Sequence, residues 1–214
     1  MITPGVLSDI DLVTWDVDGT LYDMSLARAD LLRSVFSSWN TEGVIQTAFD
    51  LLRMGRISRR MEKIRRLGGV IRPAHRAQLD EFVMLQSRHL VPSIGRVGCL
   101  EGVEALMDCF SQRGIRQVAF SDYPCREKLV ALGLSDRFVG CHDAAGKGLL
   151  KPHREAYQRV FDVYGVTAER VLHIGDRIDS DGSAQALGCK VVVVGREVTS
   201  LSDWHESMLS AEER

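Results

Sequence analysis

The sequence predicts an α/β fold: a doubly wound, Rossmann-like parallel sheet with a small helical domain inserted after the first strand. The apolar run Leu12–Trp15 has the residue types of a buried strand. From residue 102 onward, strand patterns alternate with helix patterns, which is typical of a parallel sheet covered on both faces. Residues 24–95 show only helical spacing, and a connection that long is unusual within one compact unit. We therefore expect a core of residues 1–23 and 96–214 and a helical domain of residues 24–95.

The spacing of hydrophobic residues defines the individual elements. Apolar residues three and four positions apart predict helices, and short β-branched or aromatic runs predict strands. The inserted region is predicted to contain helices at 25–39, 44–67 and 73–90, followed by a linker rich in Pro and Gly at 91–98. The core is predicted to contain helices at 103–112, 126–132, 154–164 and 181–187, and further strands at 117–120, 138–142, 171–174 and 190–194.

The composition is ordinary for a globular protein, with 45% hydrophobic and 26% charged residues. A formal net charge of -2 gives no overall attraction to nucleic acid or to an acidic membrane surface. The five cysteines are scattered and form no C-x-x-C pair, so we expect reduced thiols rather than disulfides or a zinc site. The apolar runs are too short to span a membrane and the N-terminus lacks signal-peptide features, so we expect a cytoplasmic protein.

Two carboxylates follow the first predicted strand at positions i and i+2. Because side chains alternate along a strand, Asp16 and Asp18 are expected on the same side of the sheet, where they repel each other unless a cation or a proton lies between them. Gly19 allows a sharp turn and a close approach of the backbone to a ligand. An isolated D-x-D of this kind is more often an acidic loop that closes a strand, so its interpretation depends on the rest of the chain.

Polar residues also follow other predicted strands. Ser121 and Asp122 come after one strand and Asp176 after another, with Asp179 and Asp181 close behind. In open α/β sheets, ligands bind at the carboxyl ends of the strands, so these side chains are expected to converge with Asp16. Lys151 lies in a loop between the later strands. Several acids with one Ser and one Lys suit a hard, oxygen-liganded cation such as Mg²⁺ together with a phosphate group.

Four motifs in this order resemble those of the haloacid dehalogenase (HAD) superfamily of hydrolases, in its phosphatase branch with a helical cap. The motifs are Asp16-Val-Asp18-Gly-Thr20, Ser121, Lys151-Pro152 and Gly175-Asp176 through Asp181. The resemblance implies that Asp16 is a nucleophile that forms an aspartyl-phosphate, and that Asp18 protonates the leaving group and then activates water. It also implies a Mg²⁺ ion held by Asp16, Asp18 (through its backbone carbonyl), Asp176 and Asp181, and a phosphate site of Ser121, Lys151, Gly19 and Thr20.

Asp18 indicates the branch of the family. The name-giving dehalogenases have no carboxylate two residues after the nucleophile, because a halide leaves without protonation. To act as an acid, Asp18 requires surroundings that raise its pKa. The family often has Asn where this chain has Asp122, and the spacing after Gly175 leaves both Asp179 and Asp181 open as metal ligands, with Asp181 preferred.

We therefore expect a Mg²⁺-dependent phosphatase whose partner is a small phosphorylated substrate, with no nucleic acid or membrane partner, and a monomer or homodimer. A phosphomutase of the same fold, or a catalytically silent binding protein, are the alternatives. The inserted region is rich in arginine, and Arg53, Arg56 and Arg60 share one helical face. A solvated face is the favoured interpretation and a basic rim of the substrate site the alternative. His173, inside a predicted strand, is interpreted as a core histidine rather than a ligand.

Overall fold

The computed structural model describes residues 7–37 and 41–212. Its centre is a five-stranded parallel sheet in the order β3-β2-β1-β4-β5. The strands are β1 (Leu12–Trp15), β2 (Arg116–Ser121), β3 (Gly140–Asp143), β4 (Val171–Gly175) and β5 (Lys190–Val193). The predicted fold class is confirmed, and every predicted strand is present within two residues of its predicted ends.

Eight α-helices lie within the described ranges. They are α1 (Met24–Ser37), α2 (Thr41–Arg66), α3 (Arg76–Leu85), α4 (Val91–Val97), α5 (Val103–Gln112), α6 (Arg126–Ala131), α7 (Arg154–Tyr164) and α8 (Leu201–Glu212). A π-helical turn, Gln86–Leu90, joins α3 to α4, and the segment predicted as a helix at 181–187 is a 3₁₀ helix. The predicted end of the first helix at Trp39 lies outside the described residues. None of the helices in these ranges combines the length and apolar character that a membrane span requires.

The prediction of a linker at 91–98 is wrong, because Val91–Val97 is a helix. Pro92 directly follows the π-helical turn Gln86–Leu90, so the chain is helical on both sides of it, and the wider turn accommodates a residue that has no N–H to donate. Gly95 lies close against α6: a Cβ there would meet the carbonyl oxygen of Ala131 at 3.2 Å. The predicted border between residues 95 and 96 falls inside this helix, and the division into a core and a helical domain stays a prediction.

Alternation along β1 divides the interior between the two faces of the sheet. Val13 and Trp15 pack in one hydrophobic cluster and Leu12 in the other. In the larger cluster, the ring of Phe110 on α5 lies between two tryptophans, with centroid distances of 5.9 Å to Trp15 and 6.0 Å to Trp204. These contacts between tilted rings hold the first strand, and therefore the residues that follow it, against α5 and α8.

The inserted helices lie over the carboxyl ends of the strands. The apolar stripe of α2 that includes Ile57, Met61 and Ile64 packs with Phe82 of α3 against Tyr123 and other residues of the core loops. The rings of Phe82 and Tyr123 meet edge to face at a centroid distance of 5.0 Å. This third cluster positions α2 above the edge of the sheet where the predicted site residues emerge.

Phe110→Ala should lower the free energy of unfolding by about 3 to 5 kcal/mol, because the side chain is fully buried and leaves a cavity between the two tryptophans. Urea denaturation followed by tryptophan fluorescence measures this change. The matched control is Phe36→Ala, since Phe36 is 81% exposed and its removal should change the free energy by less than about 0.5 kcal/mol. Equal effects of the two substitutions would contradict this account of the core.

Candidate active site

The sheet brings the predicted residues together as their strands end. β1 pairs with β2 on one side and with β4 on the other, so Asp16, Ser121 and Asp176 leave adjacent strands at the same edge. Asp16 and Ser121 are buried and Asp176 is half-buried. A cavity of about 230 Å³ opens above them, with Asp18, Asp122, Lys151 and Asp181 also on its wall.

Three carboxylates converge at the base of this cavity. Asp16, Asp176 and Asp181 each offer one oxygen, and these oxygens all lie within 4.8 Å of one another. Burial raises the pKa of Asp16 well above its usual value. Asp181 and Asp176 raise this pKa as well, whereas Lys151 lowers it. Burial and the charge of Asp181 raise the pKa of Asp176 to about 6. The cluster therefore holds more negative charge than the protein around it neutralises.

Asp176 identifies the place where a cation would fit. Its Oδ1 atom is buried and has no hydrogen-bond partner within the described part of the chain. An ionised oxygen in that position is costly unless it is paired. Carboxylate oxygens are the ligands that Mg²⁺ prefers, so the donor set of Asp16, Asp176 and Asp181 fits this ion.

Lys151 lies between two of these carboxylates. Its Nζ is 2.5 Å from Asp16 Oδ1 and 2.6 Å from Asp181 Oδ1, and its side chain is only 3% exposed. Burial alone would lower the pKa of Lys151, but the charges of Asp16 and Asp181 outweigh it and raise the pKa well above its usual value. The ammonium is therefore a permanent charge directed at the base of the cavity.

His173 binds the carboxylate of Asp181 from the interior of the protein. The buried ring contacts Asp181 Oδ1 through Nε2 at 3.1 Å and Thr14 Oγ1 through Nδ1 at 2.8 Å. Burial lowers the pKa of His173, so the ring is neutral, with Nε2 donating to the carboxylate and Nδ1 accepting from Thr14. The interpretation of His173 as a satisfied core histidine is confirmed. Of the two acids left open by the sequence, Asp181 joins the cluster, whereas Asp179 pairs with Arg177 near the surface.

Gly19 and Gly175 make the space that the carboxylates occupy. Gly19 has a φ of 99°, and a Cβ there would collide with the carboxylate of Asp176. A Cβ on Gly175 would collide with the side chain of Asp181, including its carboxylate. Thr20 is fully buried, and its hydroxyl donates to Asp16 Oδ2 at 3.3 Å. Its side chain therefore orients the predicted nucleophile, and its backbone N–H donates to the carbonyl of Val17 at 3.4 Å, so both donors of Thr20 are engaged within the loop.

The expectation that the surroundings raise the pKa of Asp18 is wrong for this structure. Burial would raise it, but the pKa is lowered because Lys128 Nζ lies 2.6 and 2.7 Å from the two carboxylate oxygens and Tyr22 donates to Oδ1 at 2.5 Å. Ser121 Oγ is 3.4 Å from Oδ2. Sequence reasoning missed Lys128 because a lysine on a short helix is normally exposed, whereas this one is 2% exposed.

Asp122, which departs from the common family pattern, is fully used as an acceptor. One oxygen accepts from the backbone N–H of Lys151 at 2.6 Å, and the other is paired with Arg65 of α2. Its charge is therefore neutralised by a cation of the inserted region, and it fixes the loop that carries Lys151. Glu62, one turn earlier on α2, binds Arg177 of the core at 3.1 Å. These two ion pairs join α2 to opposite sides of the cavity.

The predicted arginine face lies away from this cavity. Arg53 pairs with Glu81 of α3, and Arg60 donates to Gln78 of the same helix; neither arginine lines the cavity. The favoured interpretation, a solvated face, agrees with this placement, and the basic-rim alternative does not. The arginines of the inserted region that do line the cavity are Arg28 and Arg65.

Asp176→Asn should stabilise the metal-free protein at neutral pH. The folded carboxyl has a pKa of about 6 and the unfolded one a pKa near 3.8, so the folded state binds the proton more tightly between these values. The free energy of unfolding of the wild type therefore falls as the pH rises from about 4 to 6 and stays lower above that range. At pH 8 the variant should be more stable than the wild type by about 3 kcal/mol, and at pH 3.5 the difference should vanish.

Thermal unfolding with and without Mg²⁺ measures this effect and the metal site together. Mg²⁺ should raise the Tm of the wild type and leave that of Asp176→Asn nearly unchanged. The matched control is Asp179→Asn, which should keep the response to Mg²⁺ because Asp179 lies outside the cluster. A wild type that does not respond, or a variant that responds equally, would exclude a cation site at Asp176.

Comparison with known proteins places this geometry in a family. The sequence model of the family of haloacid dehalogenase-like hydrolases matches residues 10–188. No curated protein sequence matches the chain. A HAD hydrolase of Bacillus subtilis bound to magnesium superposes with a TM-score of 0.66 at 19% identity, over 93% of this chain and 98% of that one. The 2-haloacid dehalogenase of Pseudomonas syringae gives 0.62 at 18% identity over 94% and 99%. The L-2-haloacid dehalogenase of Xanthobacter autotrophicus gives 0.61 at 17% identity over 87% and 78%.

At these identities the solved structures support the fold alone, while the family match covers most of the chain, including all the clustered acids. The chain belongs to the haloacid dehalogenase-like hydrolases.

Proposed function

We propose that this hydrolase is a Mg²⁺-dependent phosphatase that acts on a small phosphorylated metabolite through an aspartyl-phosphate on Asp16. The observation that carries the proposal is the excess of buried negative charge at Asp16, Asp176 and Asp181, with a buried oxygen of Asp176 unpaired within the described residues. A divalent cation neutralises such a cluster and attracts phosphate, whereas a halide displacement does not require either.

Asp16, Asp176 and Asp181 would hold the ion, with the backbone carbonyl of Asp18 as a further ligand. When bound, Mg²⁺ would withdraw negative charge from the phosphoryl oxygens and favour attack on phosphorus. Lys151 already bonds both Asp16 and Asp181. It is therefore placed to keep Asp16 ionised and to bind a phosphoryl oxygen next to it, with the hydroxyl of Ser121 as a second donor.

The reaction has two displacements at phosphorus. A carboxylate oxygen of Asp16 attacks, a bond between Asp16 and phosphorus forms, and the bond from phosphorus to the leaving oxygen breaks as Asp18 gives that oxygen a proton. Water then attacks the aspartyl-phosphate, Asp18 takes its proton, and inorganic phosphate leaves as Asp16 is regenerated. Asp16 attacks in its ionised form, which Lys151 and a bound cation would favour against the burial that raises its pKa, and no separate base is then needed for the first step.

Asp18 is the residue that favours phosphoryl transfer over dehalogenation. Its carboxylate faces the same cavity as Asp16 and Ser121, where an acid can reach the leaving oxygen. Lys128 and Tyr22 lower its pKa, so the resting carboxyl is ionised. Asp18 therefore takes up the proton that it gives to the leaving oxygen from water when the substrate binds, because the negative phosphate group beside it favours the neutral carboxyl.

Asp16→Asn should abolish the release of phosphate from 4-nitrophenyl phosphate in the presence of Mg²⁺, because an amide cannot attack phosphorus in this way. The circular dichroism spectrum should stay that of the wild type. Asp162→Asn is the matched control: Asp162 is an exposed residue of α7 that accepts a hydrogen bond from Gln158, and full activity is expected. Activity in Asp16→Asn equal to the wild type would remove Asp16 as the nucleophile.

Asp18→Asn should slow the breakdown of the intermediate more than its formation, because 4-nitrophenolate leaves without a proton while water still needs a base. Loss of a general base typically costs about 10²- to 10⁴-fold in rate. Rapid mixing should show a burst of 4-nitrophenolate equal to the enzyme concentration, followed by slow phosphate release. Unchanged turnover would refute the acid–base role. Release of chloride from 2-chloropropionate by the wild type, with no phosphate released from any ester, would favour a dehalogenase.

A further inference from the structure

A second cavity, of about 350 Å³, lies among the inserted helices. It shares five wall residues with the cavity above Asp16, so the two cavities adjoin each other. The shared residues are Met24, Arg28, Ser58, Phe82 and Gln86. We call the part beyond them the apolar chamber. Leu31, Leu51, Met54 and Leu90 line it, and it meets solvent where Leu32, 49% exposed, and the exposed Gly55 complete the wall.

The polarity of the wall changes between the two cavities. At the shared boundary, Arg28, Ser58 and Gln86 offer polar groups next to the phosphoryl site. Beyond them, the side chains of the chamber that come from α1, α2 and the π-helical turn are aliphatic or thioether groups, which neither donate nor strongly accept hydrogen bonds. A molecule that fills both cavities therefore has a polar end at Asp16 and an apolar end in the chamber.

Two features of the helices keep the chamber open. Gly55 lies in the interior of α2 and on the chamber wall, and a Cβ built there would have no atom within 4 Å. Glycine is less favourable than alanine inside a helix, and no close contact within the described chain requires a glycine at this position. The π-helical turn Gln86–Leu90 places both its first and its last residue, each buried, on the wall, and such turns are frequent at functional sites.

We propose that the substrate is a phosphomonoester of an apolar alcohol, alkyl or aromatic, whose carbon skeleton occupies the apolar chamber. This inference rests on the proposed phosphatase activity and specifies its substrate class. A sugar or other polyol phosphate fits poorly, because its hydroxyl groups would leave water for a wall of Leu31, Leu51, Met54 and Leu90 without finding partners. A polar group that leaves water without gaining a hydrogen-bond partner weakens binding.

Binding of non-hydrolysable n-alkylphosphonates tests the chamber without turnover. Calorimetry in the presence of Mg²⁺ should show affinity that rises from methyl- to hexylphosphonate by about three- to fourfold for each methylene group, until the chamber is full. Affinity that is independent of chain length would overturn the inference. If short esters were nevertheless hydrolysed, the phosphatase activity would be supported and the proposed substrate class would be wrong.

Hydrolysis of the matching esters gives the second measurement. The kcat/KM of hexyl phosphate or benzyl phosphate should exceed that of ethyl phosphate and of a hexose 6-phosphate by at least tenfold. A hexose phosphate that is hydrolysed as fast as hexyl phosphate would overturn the inference. Tight, length-dependent phosphonate binding with no hydrolysis of any ester would support the chamber as a ligand site and count against the phosphatase activity.

Gly55→Leu provides the specific variant, because the new side chain would enter the chamber while improving helix propensity. Its Tm should equal or exceed that of the wild type, and the gain in affinity from methyl- to hexylphosphonate should shrink by at least tenfold. The control is Gly43→Ala, since Gly43 is an exposed residue of the same helix outside the chamber wall, and the wild-type dependence on chain length is expected. An unchanged dependence in Gly55→Leu would contradict the placement of the carbon skeleton.

Discussion

The burial of one ammonium among three carboxylates is the constraint on which the site depends. Lys151 neutralises one unit of charge, and its Nζ touches Asp16 and Asp181, while Asp176 keeps a buried oxygen unpaired within the described chain. Removing charges from water is expensive unless they are paired. The remaining negative charge would suit a cation, and other contacts at the base of the cavity stabilise the carboxylates against their mutual repulsion.

The backbone and the inserted helices supply those contacts. Gly19 and Gly175 remove the two Cβ atoms that would collide with the carboxylates, and His173 fixes Asp181 from the interior. Asp122 binds both the Lys151 backbone and Arg65 of α2. The ion pair of Arg65 thereby connects the position of α2 to the loop that carries the ammonium, so the helices that cover the cavity also help to form its base.

The sequence predicted the sheet and the convergence of acids because both follow from local rules: β-like runs end in polar residues, and parallel strands end at one edge. It did not predict the ion pair of Lys128 with Asp18, since nothing local to a six-residue helix indicates that a lysine turns inward. The helix over residues 91–97 was missed because Pro92 and Gly95 read as breakers. Pro92 is accommodated by the π-helical turn that precedes it, and Gly95 by the close approach to α6, and neither feature is visible in the local sequence.

A crystal structure grown with Mg²⁺ and beryllium fluoride would test the central claim most directly. The account predicts a fluoroberyllate attached to a carboxylate oxygen of Asp16, in contact with Lys151 and Ser121, and one Mg²⁺ ion shared by Asp16 and Asp176. Carboxylates of residues 16 and 176 that bind no common ion, or a fluoroberyllate bound elsewhere, would contradict it.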